Sequence, residues 1–227
     1  MHRRDLFRNV FALAILGRAG LAQAQVPPGP EEIAAYQGLH RAAHSGDLAE
    51  IRRLLASGAA PDGRDSRQRT PLHVACHARQ REAMRALVAG KADPKAVDNQ
   101  NYDCITIAAV ADDVPTLETA IAIGGDPRQI TSPYQGTALI AAAHLGHDGV
   151  VKTLIGAGAP LDHVNNLHWT ALIEAVILGN GGPRHVETVR LLVEAGARRD
   201  LADREGRTPL DHARSRGYAA MVALLTR

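Results

Sequence analysis

The chain has 227 residues, two cysteines and a formal net charge of +2 at neutral pH. Four of the 26 basic residues and one of the 24 acidic residues lie within the first 24 positions, which leaves 22 basic and 23 acidic residues beyond them. That balance excludes the broad cationic surface of a nucleic-acid-binding protein. The length allows one domain or two, so the pattern along the chain has to decide between them.

The first 24 residues have the pattern of a cleavable export signal. A basic start at 2–8 precedes an apolar run at 10–16, and Ala22-Gln23-Ala24 is a small-x-small cleavage site. The apolar run is shorter than the ~20 residues that span a bilayer, so we expect it to be removed and not to form a membrane anchor. Because Arg3 and Arg4 resemble the twin-arginine motif, we favour that route over the general secretory route. The residues around the cleavage site include no cysteine, so the sequence does not predict a lipoprotein. The predicted location is the bacterial periplasm.

Residues 25–35 are predicted to form a proline-rich spacer that leads into an N-terminal cap. The run 26–30 holds three prolines, which lack the backbone donor that helices and strands need. Glu31 and Glu32 then start a helix, because acidic side chains favour the positive end of the helix dipole.

From Tyr36 onward one pattern recurs six times. An apolar marker residue is followed three positions later by an alanine in every copy, as with Leu72 and Ala75. Successive markers are 33, 33, 34, 33 and 38 residues apart, and a period in this range indicates stacked repeats in one elongated domain, 36–227. The markers are Leu39, Leu72, Ile105, Leu139, Leu172 and Leu210, in units of about 36–68, 69–101, 102–135, 136–168, 169–206 and 207–227.

The second unit carries Thr70-Pro71-Leu72-His73, which together with a period of about 33 residues is typical of ankyrin repeats. The chain therefore resembles the ankyrin-repeat family from Tyr36 to its C-terminus. The resemblance implies an all-α solenoid of about six helix-turn-helix units, joined by short β-hairpin-like loops, with recognition on its concave face. The first and last units are expected to be caps, because a terminal repeat packs against one neighbour only.

Three positions depart from the repeat pattern. The left-handed position after the second helix favours glycine, and Lys91 stands there in the second unit. In the third unit 103–106 replaces the Thr-Pro-Leu-His motif, so we expect that unit to be locally loose. The fifth unit has five extra residues, 180–184, between its helices. Such insertions are either tolerated or functional, and we favour the first interpretation.

No arrangement of residues in the sequence indicates catalysis. A glycine-rich phosphate loop and a nucleophile elbow are both absent from the sequence, and the serines fit turns and helix ends. We therefore expect a protein that is not an enzyme and that uses no cofactor. The resemblance places four of the eleven histidines in structural positions of the repeat, namely His40, His73, His147 and His185.

Three other histidines, His44, His77 and His144, lie five residues after their markers, at the ends of first helices on the expected concave face. His44 and His77 also follow His40 and His73 by four residues, a spacing that could hold a metal on one helix face. No carboxylate or cysteine completes such a set at matching spacing. We therefore favour recognition and keep a metal- or cofactor-associated function of these three histidines as the lesser alternative.

The two cysteines, Cys76 and Cys104, fall in neighbouring units. Their offsets place them several residues apart along neighbouring helices, beyond the ~7 Å between Cα atoms that a disulfide allows. Export would permit a bridge. We nevertheless expect two free, buried thiols.

Aromatic residues are predicted at the loops between units, next to arginine and aliphatic side chains. This composition is typical of interface hot spots, although Trp169 could instead cover a seam between repeats. The predicted protein-binding residues are His44, Arg67, Arg69, His77, Gln100, Tyr102, Tyr134, His144, Leu145, Leu167, Trp169, Ile177 and Leu178.

The sequence thus predicts a monomeric, non-catalytic protein that binds a protein partner through the concave face. It predicts neither a nucleic-acid partner nor a stable membrane anchor. The main alternative is an inhibitor or immunity-type protein that blocks a toxin or an envelope enzyme.

Overall fold

The structure is a computed structural model, and it describes residues 26–226. The predicted export signal and its cleavage site lie outside the described residues. Residues 26–226 form thirteen α-helices and one isolated antiparallel bridge, between Thr131 and Gly136. Within this part of the chain, every helix is too short or too polar to cross a bilayer. The helices are α1 Pro30–Ala35, α2 Gly38–Ser45, α3 Leu48–Ala56, α4 Pro71–His77, α5 Arg81–Ala89, α6 Cys104–Val110, α7 Val114–Ala122, α8 Ala138–Leu145, α9 Asp148–Gly156, α10 Ala171–Ile177, α11 Pro183–Glu194, α12 Pro209–Arg216 and α13 Ala219–Leu225.

The helices form two layers of stacked helices. The first helices of the six units pack against one another in chain order, as α2, α4, α6, α8, α10 and α12. The second helices, α3, α5, α7, α9, α11 and α13, form the other layer. The result is a solenoid of six helix pairs preceded by the short helix α1, which confirms the predicted all-α fold class.

Five of the six first helices begin at a side-chain cap, whereas Gln37 at the start of α2 makes no such bond. Thr70 accepts a hydrogen bond from the backbone N–H of the third helical residue of α4, and threonines cap α8, α10 and α12 in the same way. In the third unit Asp103 supplies this cap, accepting from the N–H of Thr106 at 2.8 Å. The altered motif of that unit therefore keeps the cap, and the looseness expected there stays a prediction.

The four histidines predicted to be structural contact backbone carbonyl groups of neighbouring units. Nε2 of His73 lies 3.1 Å from the carbonyl oxygen of Tyr102, while Nδ1 accepts from the N–H of Thr70. This arrangement places the ring proton on Nε2, which donates to Tyr102. The equivalent contacts, at 2.9 to 3.0 Å, join His40 to Arg69, His147 to Ala109 and His185 to His144, so the structural assignment is confirmed.

The second helices end at a left-handed residue in the first five units. Gly58 has a φ of 88°, and Lys91 has a φ of 71° at the equivalent position. A side chain in this region of φ/ψ space costs roughly 1–2 kcal/mol. Lys91 therefore carries a local strain that the other units avoid with glycine.

The insertion at 180–184 is packed against the third, fourth and sixth units. The hydroxyl of Tyr218 donates to the carbonyl of Gly179 at 3.0 Å, just before the insertion. Arg184 pairs with Asp148 at 2.7 Å and with Asp112 at 2.9 Å, so it connects three units. These contacts favour a structural function for the insertion.

Both cysteines are free and buried, as expected. They are, however, neighbours, because the thiol of Cys76 donates to the carbonyl of Cys104 at 3.4 Å. A hydrogen bond with Cys76 and burial together raise the pKa of the Cys104 thiol. The close contact differs from the separation predicted from sequence offsets, because the stacked helices bring the end of α4 next to the start of α6.

Candidate functional site: the concave face

The loops between units form the first part of the concave face, and in four of the five loops an Asp or Asn side chain at the start shapes the turn. The carboxylate of Asp65 accepts hydrogen bonds from the N–H groups of Arg67 and Arg69, both at 2.8 Å. Such bonds hold a turn in one conformation. Asp98, Asn165 and Asp203 do the same in the loops that precede α6, α10 and α12, where they accept from the residues two and four positions later at 2.9 to 3.1 Å.

These turns position six of the predicted binding residues at equivalent places. These turns were not predicted from the sequence, although an Asp or Asn five residues before the helix cap was the signal for them. Neighbouring loops are also joined through the backbone, since the N–H of Asn166 donates to the carbonyl of Tyr134 at 3.0 Å. The positioned pairs are Arg67 with Arg69, Gln100 with Tyr102, and Leu167 with Trp169.

The ends of the first helices form the second part of the face. His44, His77, His144 and Ile177 occupy equivalent positions there. The thirteen predicted residues divide by unit into two groups, which we name the N-terminal half and the C-terminal half. The N-terminal half contains His44, Arg67, Arg69, His77, Gln100 and Tyr102, and the C-terminal half contains Tyr134, His144, Leu145, Leu167, Trp169, Ile177 and Leu178.

The N-terminal half contains a buried ionic network. Arg69 donates from Nε to Asp65 and from Nη2 to Glu32, each at 2.7 Å. The same Glu32 oxygen accepts from Arg67 at 2.8 Å, and the hydroxyl of Tyr36 donates to Asp65 at 3.0 Å. Burial alone would raise the pKa of Asp65, but hydrogen bonds from Arg69 outweigh burial and lower it. A hydrogen bond from the N–H of Gly29 is the largest cause of the lowered pKa of Glu32.

The network corrects one expectation. The side chain of Arg69 is only 1% exposed, so the predicted exposure of this residue is wrong. Its guanidinium lies under α1 and pairs with two carboxylates, because α1 folds over the loop of the second unit. Arg67 keeps a side chain that is 40% exposed although it shares Glu32 with Arg69.

The two histidines of the N-terminal half are partly covered. The ring of His44 lies 6.5 Å from the ring of Tyr36, centroid to centroid. Desolvation lowers the pKa of His77 to about 4, and the nearby charge of Arg69 acts in the same direction. His77 is therefore neutral at neutral pH.

The C-terminal half exposes aliphatic side chains on neighbouring units. Leu145 and Leu178, at the ends of α8 and α10, are each 40% exposed, and Leu167 in the loop between them is 37% exposed. Ile177, Tyr134 and Trp169 are half-buried. The three leucines lie on neighbouring units, and large exposed apolar patches on soluble monomers mark interaction sites.

A carboxylate that the sequence analysis missed lies at the centre of the C-terminal half. Glu174 is 5% exposed and accepts a hydrogen bond from the side-chain amide of Asn165 at 2.8 Å. Its other oxygen lies 3.4 Å from Nδ1 of His144. The signal was the acidic residue in α10 at the position where α4 and α6 carry the buried residues Val74 and Ile107.

The aromatic residues are less exposed than the hot-spot hypothesis assumes. Tyr102 packs against the hydrophobic core, and burial raises the pKa of its hydroxyl. Tyr102 thus covers a seam between units, as the alternative interpretation proposed for Trp169. Among the predicted residues of the C-terminal half, the large apolar side chains that are exposed are Leu145, Leu167 and Leu178.

The three histidines of the metal alternative do not converge. His77 lies on α4 and His144 on α8, and α6 lies between these helices. Packed helices are roughly 8–10 Å apart, so no single ion can reach both rings. Within residues 26–226, no group of three histidine, cysteine or acidic side chains is arranged to hold a metal ion.

The sequence was compared with known families and curated proteins. A family model described as ankyrin repeats, in three copies, matches residues 39–121 and 139–227. A search of curated proteins found no match.

Solved structures show the same architecture. An ankyrin repeat domain from Acinetobacter baumannii AYE is 42% identical, with a TM-score of 0.78 over 83% of this chain and 95% of that one. The ankyrin repeat protein EF0377, from Enterococcus, is 30% identical, with a TM-score of 0.77 over 85% of this chain and 99% of that one. A complex of a predatory endopeptidase from Bdellovibrio bacteriovorus with an immunity protein contains a chain that is 21% identical, with a TM-score of 0.69 over 84% of this chain and 97% of that one. At that identity the likeness shows the fold alone.

Proposed function

Because the chain belongs to the ankyrin-repeat family, we propose that it is a non-catalytic module that binds a protein partner through the C-terminal half of its concave face. The observation that carries the proposal is the exposure of Leu145, Leu167 and Leu178 on adjoining units. Burying such side chains at an interface removes apolar surface from water, which is the main favourable term in protein association.

The shape of the face supports binding without rearrangement. The turn bonds of Asn165 fix the backbone that carries Leu167 and Trp169. A surface that is ordered before docking loses less conformational entropy on association, so a few apolar anchors can suffice.

The experiment that tests this function compares partner binding between three chains. Leu145→Gln with Leu178→Gln removes apolar surface without placing a negative charge at a helix C-terminus. Ala49→Gln, at an exposed position of α3, is the matched control. A partner captured by the parent chain should bind the double variant about thirtyfold more weakly, a loss of about 2 kcal/mol. Equal binding by all three chains would remove the C-terminal half from the interface.

We further propose that the protein acts in the bacterial periplasm after export. The support is the pattern of residues 1–24, with its basic start, apolar run and Ala22-Gln23-Ala24 site. Mass spectrometry of chain purified from a periplasmic fraction should give Gln25 as the first residue. Export that stops with Arg3→Lys and Arg4→Lys would assign the twin-arginine route, whereas a full-length cytoplasmic chain would contradict export.

A second candidate function is that of an inhibitor or immunity-type protein that blocks a toxin or an envelope enzyme. The observation that favours it is the shared fold with a chain of the solved complex of an endopeptidase and an immunity protein. If this function applies, the captured partner is an enzyme whose activity falls on stoichiometric addition of the chain. A partner that keeps full activity would leave the general binding function in place.

A further inference from the structure

Residues 26–36, which we name the N-terminal segment, lie on the N-terminal half of the concave face. Two sets of polar contacts join the segment to that face. Glu32 pairs with Arg67 and Arg69, and the hydroxyl of Tyr36 donates to Asp65. The residues that precede α1 reach the third unit. Pro27 lines a cavity of about 320 Å³ together with groups on α4, α6 and α7, among them His77, Ile107 and Thr116. The chain therefore covers part of its own expected recognition surface.

The segment leaves polar atoms under it without partners. Nη1 of Arg69 is buried, and among residues 26–226 it has no hydrogen-bond partner. Nε2 of His77 is buried and unpartnered within the same part of the chain. Since buried polar groups are nearly always hydrogen-bonded in native proteins, these two atoms mark a surface that the segment fits incompletely.

The charges on this surface specify what would fit better. One carboxylate oxygen of Glu32 serves two guanidinium groups, those of Arg67 and Arg69. Arginine guanidinium groups bind carboxylates in paired, charge-assisted hydrogen bonds. A ligand with a second carboxylate could accept a hydrogen bond from Nη1 of Arg69, an atom that the segment leaves without a partner.

We propose that the N-terminal half of the concave face is a binding site for an acidic protein segment, and that residues 26–36 occupy this site until a partner's acidic segment displaces them. The proposal rests on the proposed use of the concave face for protein binding. It assigns the two halves different partner chemistry: carboxylates at the N-terminal half and apolar side chains at the C-terminal half.

Occupation in cis sets a threshold for the partner. A tethered segment acts as a competitor at an effective concentration of roughly millimolar. The apparent affinity of a competing ligand is its intrinsic affinity multiplied by the fraction of time that the site is open. A partner segment therefore binds at low concentration in two cases only. Either it makes more contacts with the face than Glu32 does, or it belongs to a partner that also binds the C-terminal half.

The test uses a fluorescein-labelled peptide with the sequence of residues 26–36 and the full chain in three forms. Glu32→Lys places a like charge beside Arg67 and Arg69 and should release the segment in cis. Glu31→Lys is the matched control, because Glu31 is its exposed neighbour in α1. Fluorescence anisotropy should show at least about tenfold tighter peptide binding to the Glu32→Lys chain than to the parent and Glu31→Lys chains. A peptide carrying Glu32→Gln should lose at least about tenfold in affinity for the Glu32→Lys chain.

Two outcomes would overturn the proposal. One is equal binding of the peptide to all three folded chains, and the other is equal binding of the Glu32→Gln peptide and the parent peptide. If Glu32→Lys fails to fold by circular dichroism, hydrogen exchange of amides 31–36 in a Glu32→Gln chain replaces it. Exchange faster than in the parent chain and a Glu31→Gln control supports docking through Glu32, and unchanged exchange contradicts it. Because these assays need no partner, their failure is separate from any loss of binding at Leu145 and Leu178.

Discussion

Equivalent positions in the two halves of the concave face carry side chains with different functions. Arg69 and Trp169 both stand four residues after a turn-forming side chain and directly before a threonine cap. Arg69 is buried in an ionic network under α1, whereas Trp169 is half-buried beside exposed leucines. The repeat thus fixes where a side chain begins, and the elements packed against it decide what the side chain does. Substitutions in the ionic network should therefore change stability as well as binding, whereas substitutions of the exposed leucines should change binding with little effect on stability.

The largest expected effect on stability is at Asp65. Asp65→Ala leaves the guanidinium of Arg69 buried with one fewer carboxylate, and breaking a buried ion pair costs about 3–5 kcal/mol. Asp98→Ala is the control, because Asp98 makes the same turn bonds to Gln100 and Tyr102. Loss of those bonds alone should cost about 1–2 kcal/mol. Urea denaturation measures both, and equal costs would contradict a special contribution from the network.

The second effect depends on pH and on His77. The pKa of this residue is lowered from 6.5 to about 4, so between these values the unfolded chain binds a proton that the folded chain does not. Stability is therefore lost as the pH falls below 6.5, by about 2 kcal/mol between pH 7 and pH 5. His77→Gln should lose less stability than the parent chain over this interval. The same loss in both chains would show that His77 is not desolvated by the N-terminal segment and its neighbours.

A smaller effect is expected at the ends of the second helices. Lys91→Gly should raise the free energy of unfolding by about 1 kcal/mol, because glycine adopts a positive φ without steric cost. Gly58→Ala is the reverse change at the equivalent position, where a Cβ atom would meet no neighbour within 4 Å. It should lower stability by a similar amount. Thermal denaturation of both variants measures the comparison, and changes of the same sign would contradict it.

The smallest expected effect on stability belongs to the C-terminal half. Leu178→Gln should change the free energy of unfolding by no more than about 0.5 kcal/mol, as is usual for exposed positions. Together with the loss of partner binding expected for Leu145→Gln with Leu178→Gln, this would separate recognition from folding. A loss of several kcal/mol would instead indicate that Leu178 packs on its own chain.

The fold was predictable because short-range sequence signals define each repeat. Threonine caps, alanines at close helix contacts and glycines after second helices recur at a fixed period, and each acts within a few residues of itself. The arrangement of the N-terminal segment was not predictable in this way. Glu32 and Arg69 are 37 residues apart and belong to no repeated pattern. The proline run predicted a spacer and gave no sign that the chain would turn back over the loop that precedes α4.

The repeat predicts that the thirteen candidate residues lie in loops and at helix ends, and their function in binding stays a prediction. The burial of individual side chains was not predictable, since the burial of Arg69 depends on a helix outside the repeats. Glu174 was missed because a single acidic residue at an apolar position has no partner visible in sequence. Its partners, Asn165 and His144, come from the adjoining loop and from α8.

The turn-forming side chains have a consequence for how such a protein diversifies. Asp65, Asp98, Asn165 and Asp203 hold each loop by bonds to backbone N–H groups, which every residue type except proline provides. The side chains two and four positions later can therefore change by mutation without altering the course of the chain. Duplication or exchange of a unit would therefore keep the shape of these loops while changing the side chains that they display, because the bonds that shape them are independent of those side chains.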